Sequence, residues 1–495
     1  MAEKGEAIAD VAVRDLAERL EHLGLDAEKS AQLKHHAEQI VSGTAATKLE
    51  AAVFIRKMLS IERNPPVQEV IESGVIPGLV KFLGEGVDEQ LRFEAAWALT
   101  NIASSNTQHT TSVIAAGVGV HMIRLLSSKH ADTAEQAAWC LGNIAGDSAK
   151  TRDYCLFLKI VEPLLALYMR ARATDPPRVS TMRNVVWTIS NLCRGKPKPK
   201  LEQVGPCLPV IASILLSDEK DEEILSDAGW ALSYLSDGTN EWIAAVIQSG
   251  VTRKAVELLG HPNPIVKTPI LRTCGNLVTG DDYQTQAVLN CGVLRAILPL
   301  LSNPKRGIRK EACWAISNIT AGNRQQIQAV VDAGLLGPLV QVIERDEFDV
   351  RKEAAWALAN ACTGGTQDQV SAIVKAGAVN AFSDLLGNDE DARVLSVVLD
   401  AIDGMLRADR NTVTQAMELH GGLDRLEALQ NEDIYQKAVR ILRTYFEAEH
   451  EEEEAGAAVG AGAGAPAAGA GGVVGRQPQG VEKGDGGKEE DPMDE

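Results

Sequence analysis

The sequence predicts an all-α protein built as a solenoid of about ten stacked helical repeats. Six of the seven tryptophans fall on one repeated position, and with Arg272 counted in its place the successive intervals are 42, 48, 43, 42, 42 and 42 residues. An asparagine follows four residues after this position in six of these seven repeats. A glycine followed by leucine, isoleucine or valine recurs with a similar period. Intervals of this size are typical of solenoids, in which neighbouring repeats share one continuous core.

The repeated position has two partners at fixed offsets, and we call the three residues of one repeat a rung. Residues at i−3, i and i+4 lie on one face of an α-helix, so each rung presents its side chains together. The 0 position holds Trp97, Trp139, Trp187, Trp230, Arg272, Trp314 and Trp356. The +4 position holds Asn101, Asn143, Asn191, Tyr234, Asn276, Asn318 and Asn360. The −3 position holds Glu94, Gln136, Asn184, Asp227, Pro269, Glu311 and Glu353.

Residues 1–45 are predicted to form a short helical extension that caps the N-terminal end of the solenoid. Apolar residues at helical spacing indicate one amphipathic helix that ends at Gly24 and a second that ends at Gly43. A cap of this kind would cover the apolar face that a terminal repeat otherwise exposes.

Residues 46–446 are predicted to form the solenoid. Each repeat has a rung helix, a short turn, a short helix, a glycine corner and an apolar helix. Glycine at the corner permits positive φ. End repeats are expected to be atypical: Ile55 and Leu59 are placed at the rung positions of the first, and Val398 and Ile402 at those of the ninth. The one interval of 48 residues predicts an enlarged loop at Ala171–Val179.

Residues 447–495 are predicted to be a disordered, acidic, Gly/Ala-rich tail. The tail carries 13 acidic and three basic residues, so it holds about −10 of the net charge of −19. The remaining body is also acidic, at about −9. An acidic body argues against nucleic acid and anionic membranes as direct partners and favours basic ones.

The sequence carries no signature of catalysis, of a metal or of a cofactor. The eight cysteines occur singly without a CxxC motif, and the nine histidines are scattered. We found no nucleophile elbow and no phosphate-binding loop, which excludes the common enzyme classes from the prediction. No signal peptide and no apolar stretch of membrane-spanning length is recognised. The cysteines are therefore predicted to be small packing residues of a cytoplasmic and nuclear protein.

The rungs predict a groove for an extended peptide rich in lysine and arginine. Asparagine both donates and accepts hydrogen bonds, so a row of them can hold the backbone of an extended chain. Slots between successive tryptophan rings fit the aliphatic stem of a lysine or arginine, and cation–π attraction adds about 0.5–2 kcal/mol for each. Acidic side chains beside the slots would receive the charged ends, including Asp147, which follows Trp139 and Asn143 at helical spacing. Each rung helix has separate apolar positions for the core, for example Ala96, Leu99 and Ile102.

The rungs also predict that the groove divides into two. Arg272 stands where tryptophan is expected, and Tyr234 replaces asparagine in the repeat before it. A cation at this point would repel a cationic ligand, so a longer groove is expected before it and a shorter one after it. Arg272 is expected to pair with an acid, for which Asp281 and Asp282 are close in sequence. One ligand with two basic clusters could fill both grooves, which raises affinity through linkage.

These motifs closely resemble the importin-α family of armadillo-repeat adaptors for nuclear localisation signals. The resemblance covers about residues 46–446 and includes FEAAWALTNIASS, EQAAWCLGNIAGDS, RNVVWTISNLCRGK, SDAGWALSYLSDG, LRTCGNLVTGDD, RKEACWAISNITAG and RKEAAWALANACTGG. It implies a right-handed armadillo superhelix and a non-enzymatic nuclear import adaptor. It places a major signal site on Trp97, Asn101, Thr110, Gln136, Trp139, Asn143, Asp147, Asn184, Trp187, Asn191 and Asp227. It places a minor site on Trp230, Tyr234, Arg272, Asn276, Glu311, Trp314, Asn318, Glu353, Trp356 and Asn360.

The resemblance also implies partners other than cargo. The segment HGGLDRLEALQNEDIYQKAVRILRTYF looks like the last repeats of the family, which help to bind the export receptor. In the family a basic N-terminal segment binds importin-β and, when free, folds into the groove. Residues 1–45 carry five dispersed bases and no cluster, so this segment is absent or diverged, and coupling to importin-β stays open. Two alternatives use the same groove: an armadillo scaffold, and a cargo-holding chaperone without importin-β-dependent transport.

Overall fold

A computed structural model describes residues 27–387, 391–429 and 432–446. Within these ranges the regular structure consists of α-helices and two short 3₁₀ segments, with no strand, as predicted. The predicted helix that ends at Gly24 and the predicted acidic tail lie outside the described residues. The chain divides into two units, residues 1–235 and 236–495.

The first unit contains the predicted second N-terminal helix and five rung helices. Its α-helices, numbered α1 to α14 in chain order, are Ala27–Ser42, Ala45–Leu59, Val67–Glu72, Ile76–Phe82, Glu89–Ala103, Thr107–Ala115, Val118–Leu125, Ala131–Asp147, Ala149–Phe157, Val161–Arg172, Val179–Cys193, Leu201–Val204, Leu208–Leu216 and Glu222–Ser236. A 3₁₀ segment, Gly205–Cys207, lies between α12 and α13. The rung helices are α2, α5, α8, α11 and α14.

The second unit continues the same order of elements. Its α-helices, α15 to α29, are Asn240–Gln248, Thr252–Leu258, Pro264–Leu277, Asp282–Asn290, Val293–Ile297, Arg306–Thr320, Arg324–Asp332, Leu336–Arg345, Phe348–Gly364, Gln367–Lys375, Ala378–Leu385, Ala392–Ala408, Arg410–Leu419, Gly422–Ala428 and Glu432–Tyr445. A 3₁₀ segment, Leu298–Ser302, follows α19. The rung helices are α17, α20, α23, α26 and α29, so the described residues carry the ten repeats that the period predicts.

Several rung helices begin at a residue whose side chain caps the helix, and the rung helices bury an apolar face. Asp88 caps α5, and its carboxylate accepts hydrogen bonds from the backbone N–H groups of Gln90 and Leu91 at 3.0 and 3.1 Å. Ala96, Leu99 and Ile102 of α5 are fully buried, as predicted. In the first unit α2 packs on α5, α5 on α8 and α8 on α11, whereas in the second α17 packs on α20, α20 on α23 and α23 on α26. Neighbouring rung helices therefore share the core of each unit.

The glycine corners adopt the conformation for which the sequence selects them. In seven repeats the corner glycine has φ between 68° and 94°, a region that other residues rarely occupy. Lys159 takes the same place between α9 and α10 with φ 62°. The chain therefore turns in the same way in that repeat without a glycine.

The prediction of an enlarged loop at Ala171–Val179 is wrong. Helix α10 ends at Arg172 and α11 begins at Val179, so six residues separate them, as many as separate α4 from α5. The longer interval comes mainly from α10 itself, which has 12 residues where α7 of the preceding repeat has 8. The described cysteines are free thiols, and all of them except the half-buried Cys291 are buried.

Among the described residues, no single helix combines the length and the apolar composition needed to cross a bilayer, although two bent helix pairs would meet that test jointly.

Candidate functional site

All predicted site residues except Thr110, which lies on α6, fall on rung helices of the two units. Helices α5, α8, α11 and α14 of the first unit carry the tryptophans from Trp97 to Trp230, so Trp230 and Tyr234 of the predicted minor site belong to the first unit. The rest of the predicted minor site lies on α17, α20 and α23 of the second unit.

The rung tryptophans differ in exposure. Trp139 is the most open, with 39% of its surface exposed. Trp97, Trp187 and Trp356 are half-buried. Two others are almost covered, Trp230 at 8% and Trp314 at 7%. The prediction that the rings lie off the core therefore suits Trp139 and the three half-buried rings better than Trp230 and Trp314. Trp230 also stacks on Tyr234, with the ring centroids 6.0 Å apart.

Glycines three residues after the 0 position seat two of the rings. A Cβ atom on Gly142 would overlap the ring of Trp187, which belongs to the next rung helix. A Cβ atom on Gly275 would overlap the ring of Trp314 in the same way. Each ring thus lies across the backbone of the preceding rung helix, a contact for which only glycine leaves room.

The asparagine amides are oriented by the preceding repeat. The Nδ2 groups of Asn143, Asn191 and Asn360 donate to backbone carbonyls three residues after the preceding 0 position, at 3.3, 3.2 and 3.0 Å. The Nδ2 groups of Asn101 and Asn276 donate to hydroxyl oxygens of the preceding repeat at 3.0 and 3.2 Å. Each of these amides has a second N–H and a carbonyl oxygen. The hydrogen bond to the preceding repeat orients the side-chain amide, and so sets the direction in which its second N–H and carbonyl oxygen point.

Arg56 occupies the first rung of the first unit. Its guanidinium Cζ lies 4.5 Å from the centroid of the Trp97 ring. Its Nε and Nη2 donate to the two carboxylate oxygens of Glu94 at 2.7 and 3.3 Å. Four residues later, the hydroxyl oxygen of Ser60 accepts the hydrogen bond from the amide of Asn101. The placement of Ile55 and Leu59 at the rung positions is therefore wrong: both are buried in the core, at 0% and 4% exposure, because the first interval is 41 residues rather than 42.

Arg272 forms the same arrangement in the second unit. Its Nη2 donates to Glu311 at 2.5 Å, and its Cζ lies 5.6 Å from the centroid of the Trp314 ring. The predicted pairing of Arg272 with an acid is thus correct in kind but wrong in partner, because Asp281 caps the following helix α18. Glu94 and Glu311, which the sequence places beside the slots, each pair with an arginine of the protein itself.

Two other acids at the −3 position, the half-buried Asp227 and the buried Glu353, have no ion-pair partner among the described residues. Burial raises the pKa of Asp227 to about 7, with the Glu223 carboxylate as a second cause. Burial likewise raises the pKa of Glu353 to about 7. A carboxylate with such a pKa would gain stability from a nearby cation.

Several rung residues hold buried polar atoms that have no hydrogen-bond partner in the part of the chain that the structure describes. Buried polar atoms are normally paired, so this concentration at one set of positions is unusual. The atoms are Gln136 Nε2, Arg272 Nε, Glu311 Oε2, Asn318 Nδ2 and Oδ1, Glu353 Oε2 and Asn360 Oδ1. Asp147 Oδ2, on the same helix as Trp139, is a further such atom. A ligand with backbone donors and acceptors and cationic side chains has the groups that would pair with them.

Two predicted site residues are already engaged within the protein. Thr110 lies on α6, the helix after the rung helix α5. Its hydroxyl is buried and donates to the carbonyl oxygens of Ala103 and Asn106 at 2.9 and 3.0 Å. Asn184 donates to Glu135 of the preceding rung helix at 3.4 Å. The hydroxyl proton of Thr110 is therefore used within the protein, whereas Asn184 keeps a second N–H and its carbonyl oxygen.

Sequence reasoning missed Arg56, Ser60 and the two seating glycines. Arg56 was detectable: it precedes Ser60 by four residues and Trp97 by 41, which is close to the 42 residues that separate Arg272 from Trp314. The glycines were also detectable. The position three residues after each 0 position holds a small residue in all seven repeats, and only Gly142 and Gly275 have no side chain there. Among the described residues, no cluster of His, Cys, Asp or Glu suits a metal ion.

Comparisons with known proteins agree with this geometry. Armadillo/beta-catenin-like repeats match residues 63–104, 106–146, 281–321 and 323–363, and an atypical Arm repeat matches residues 411–459. The crystal structure of an engineered protein from the Northeast Structural Genomics Consortium superposes with a TM-score of 0.75 at 25% identity, covering 83% of this chain and 98% of that one.

Three relatives align with most of the chain. Importin subunit alpha-B of Dictyostelium discoideum is 53% identical over 412 residues, covering 81% of this chain and 79% of the relative. Importin subunit alpha-3 of Arabidopsis thaliana is 46% identical over 444 residues, covering 86% and 82%. Importin subunit alpha-1b of Oryza sativa subsp. japonica is 45% identical over 424 residues, covering 83% and 78%. With its armadillo repeats and identity at this level over most of its length, the chain belongs to the importin subunit alpha family.

Proposed function

We propose that this protein is a nuclear import adaptor that binds Lys/Arg-rich nuclear localisation signals of cargo proteins along its rungs. The observation that carries the proposal is the pair of arginines held by the rungs themselves. Arg56 and Arg272 each lie over a rung tryptophan and pair with the acid at its −3 position. The rungs thus bind a guanidinium by the chemistry that a basic peptide would require: an aromatic face for the stem and a carboxylate for the charge.

The first unit has the more open row, and we assign the main peptide site to it. Trp139 is the most exposed rung tryptophan, and Asp147 on the same helix has a buried carboxylate oxygen without a partner among the described residues. Asn143 and Asn191 are held in register by the preceding repeat. A peptide backbone laid along these amides would be bound whatever its side chains, and the slots would then select lysine and arginine.

The second unit is proposed to hold a smaller site. Trp314 is almost covered, and Glu311 is already paired with Arg272, so the most open rung there is that of Trp356, with Glu353 and Asn360. A single cation fits this rung. A cargo with two basic clusters would reach both sites, and the linkage would raise its affinity.

The proposed adaptor acts without catalysis or cofactor and moves between cytoplasm and nucleus. Its further partners are importin-β and, through the last repeats, an export receptor. A pull-down of the full chain with importin-β distinguishes the adaptor from a cargo-holding protein that uses the same groove. Retention of importin-β by the full chain supports the adaptor, and failure to retain it favours the cargo-holding alternative.

The groove itself is tested by titration with a fluorescent lysine-rich signal peptide. We expect replacement of its lysines by alanine to abolish most of the affinity. We expect the double variant Trp139→Ala/Asn143→Ala to weaken binding at least tenfold, about 1.4 kcal/mol. Trp242→Ala is the matched control, because Trp242 is the one tryptophan outside the rungs and packs on Gly238. Equal affinities for the lysine and alanine peptides, or unchanged binding to the double variant, would place the site elsewhere.

A further inference from the structure

The two arginines held by the rungs differ in how tightly they are enclosed. Arg56 is 16% exposed and Glu94 is 8% exposed, and two hydrogen bonds join them side by side. Arg272 and Glu311 are more open, at 29% and 15%, with the guanidinium 5.6 Å from its ring rather than 4.5 Å. A buried, doubly bonded guanidinium is among the stronger ion pairs in proteins, so Arg56 is the less easily displaced of the two.

The position of Arg56 makes it the end of the row in the first unit. It projects from α2, which packs against α5, and so covers Trp97 on the side of the preceding repeat. The ring of Phe93 meets Trp97 edge-on with centroids 5.7 Å apart. Ser60 of the same α2 end accepts the amide of Asn101. We call the space between α2 and the Trp97 ring the outer slot; its aromatic face and its acid are both occupied by the protein.

We propose that Arg56 is a specificity-determining residue that closes the outer slot against the ligand. The inference rests on the proposed function, because it concerns which positions of a bound basic peptide are read. Lysine and arginine side chains of the ligand are recognised only on the side of the Trp97 ring that faces Trp139, and at the rungs that follow. The ligand residue that reaches the outer slot meets a guanidinium already neutralised by Glu94, so a cation there gains neither a carboxylate nor an open ring.

The inference predicts a limit to the useful length of a basic cluster. Additional lysines extend the contact until the peptide passes Trp97, and the next one adds nothing or weakens binding. Removal of the Arg56 charge should convert the outer slot into one that accepts lysine, since Glu94 and the Trp97 ring would then both be available.

The test is a lysine scan of the residues that flank a fixed basic core, with alanine as the reference at each position and at both ends. With the wild-type chain, we expect at least one flanking position next to the core where lysine gives no gain over alanine. With Arg56→Gln, which keeps most of the side-chain stem, we expect lysine at that position to bind at least fivefold more tightly than alanine. The further change Glu94→Gln should remove this gain. Arg183→Gln is the matched control, because Arg183 forms an ion pair with Asp221 at 2.6 Å in the same unit but lies over no rung tryptophan.

The outcomes separate this inference from the proposed function. If core lysines matter but Arg56→Gln scans like the wild type and the Arg183→Gln control, Arg56 is only structural and the inference fails. If core lysines do not matter in the wild type, the proposed function itself fails. Should Arg56→Gln unfold, the wild-type scan still decides: a gain from lysine at every flanking position at both ends would overturn the closed outer slot.

Discussion

The ring of Trp187 lies so close over Gly142 of the preceding rung helix that one methyl group on Gly142 would overlap it. Trp314 has the same relation to Gly275. In both places the helix before the tryptophan, and not only its own helix, sets where the ring stands. The shape of the proposed slots is therefore a property of two neighbouring repeats.

Gly142→Ala should displace the Trp187 ring. Overpacking of this kind costs about 1–3 kcal/mol, which exceeds the roughly 1 kcal/mol that alanine gains over glycine in a helix. We expect a lower free energy of unfolding in urea and weaker binding of a lysine-rich peptide. Gly337→Ala is the control, since nothing lies within 4 Å of a Cβ atom there. Equal stability of both variants would show that the ring moves at no cost.

Lys159→Gly should stabilise the first unit. Lys159 has φ 62° at an exposed corner where seven other repeats use glycine. The left-handed conformation costs a residue with a Cβ atom about 1–2 kcal/mol, and the greater freedom of glycine in the unfolded chain removes part of the gain. We expect a net increase of about 0.5–1 kcal/mol in urea unfolding. Lys150→Gly, at an exposed position of the regular helix α9, should lower stability instead. A loss of stability in Lys159→Gly would contradict the strain.

Asp227 should make folding and peptide binding depend on pH in opposite directions. Its pKa is about 7 in the folded chain and 3.8 ordinarily, so between these values the folded chain holds a proton that the unfolded chain has released. Its contribution to stability therefore falls as pH rises from about 4 to about 7, by at most about 1.4 kcal/mol per pH unit. A cationic ligand favours the ionised carboxylate, so peptide affinity should rise from pH 6 to pH 8.

The measurement compares wild type with Asp227→Asn by urea unfolding and by peptide titration across this range. Both pH dependences should be smaller in the variant. Asp218→Asn, which changes an exposed carboxylate of the same unit, should retain the wild-type profiles. Identical profiles for wild type and Asp227→Asn would remove Asp227 from the peptide site.

Asp403 should anchor the last helix of the second unit. It is 7% exposed; its carboxylate pairs with Arg407 and with Arg440 of α29, each at 3.1 Å, and accepts the hydroxyl of Tyr445 at 3.1 Å. Asp403→Asn removes the charge of a buried carboxylate whose two arginines are more than half exposed, so we expect a loss of about 1 kcal/mol. Hydrogen exchange should accelerate in α29 before it does in α23. Asp384→Asn, in the exposed pair with Arg425, should change little; equal effects of the two variants would refute the anchoring.

Much of the fold could be predicted from the sequence because the same helical repeat recurs many times along the chain. The period, the apolar positions around Trp97 and the corner glycines each obey a local rule, and agreement among repeats removed the ambiguity that any single stretch would carry. The rung residues were found for the same reason, since a helix fixes which side chains share a face.

The partners of those residues were decided only by the tertiary structure. Whether Glu94 faces a ligand or Arg56 depends on a register between helices, and a first interval of 41 residues shifts the rung position from Ile55 to Arg56. Arg272 likewise pairs with Glu311, 39 residues away, because the next rung helix packs beside it, whereas the acids near it in sequence lie at the start of another helix. Sequence determines what each repeat presents; the packing of one repeat on the next determines which of those groups are already satisfied.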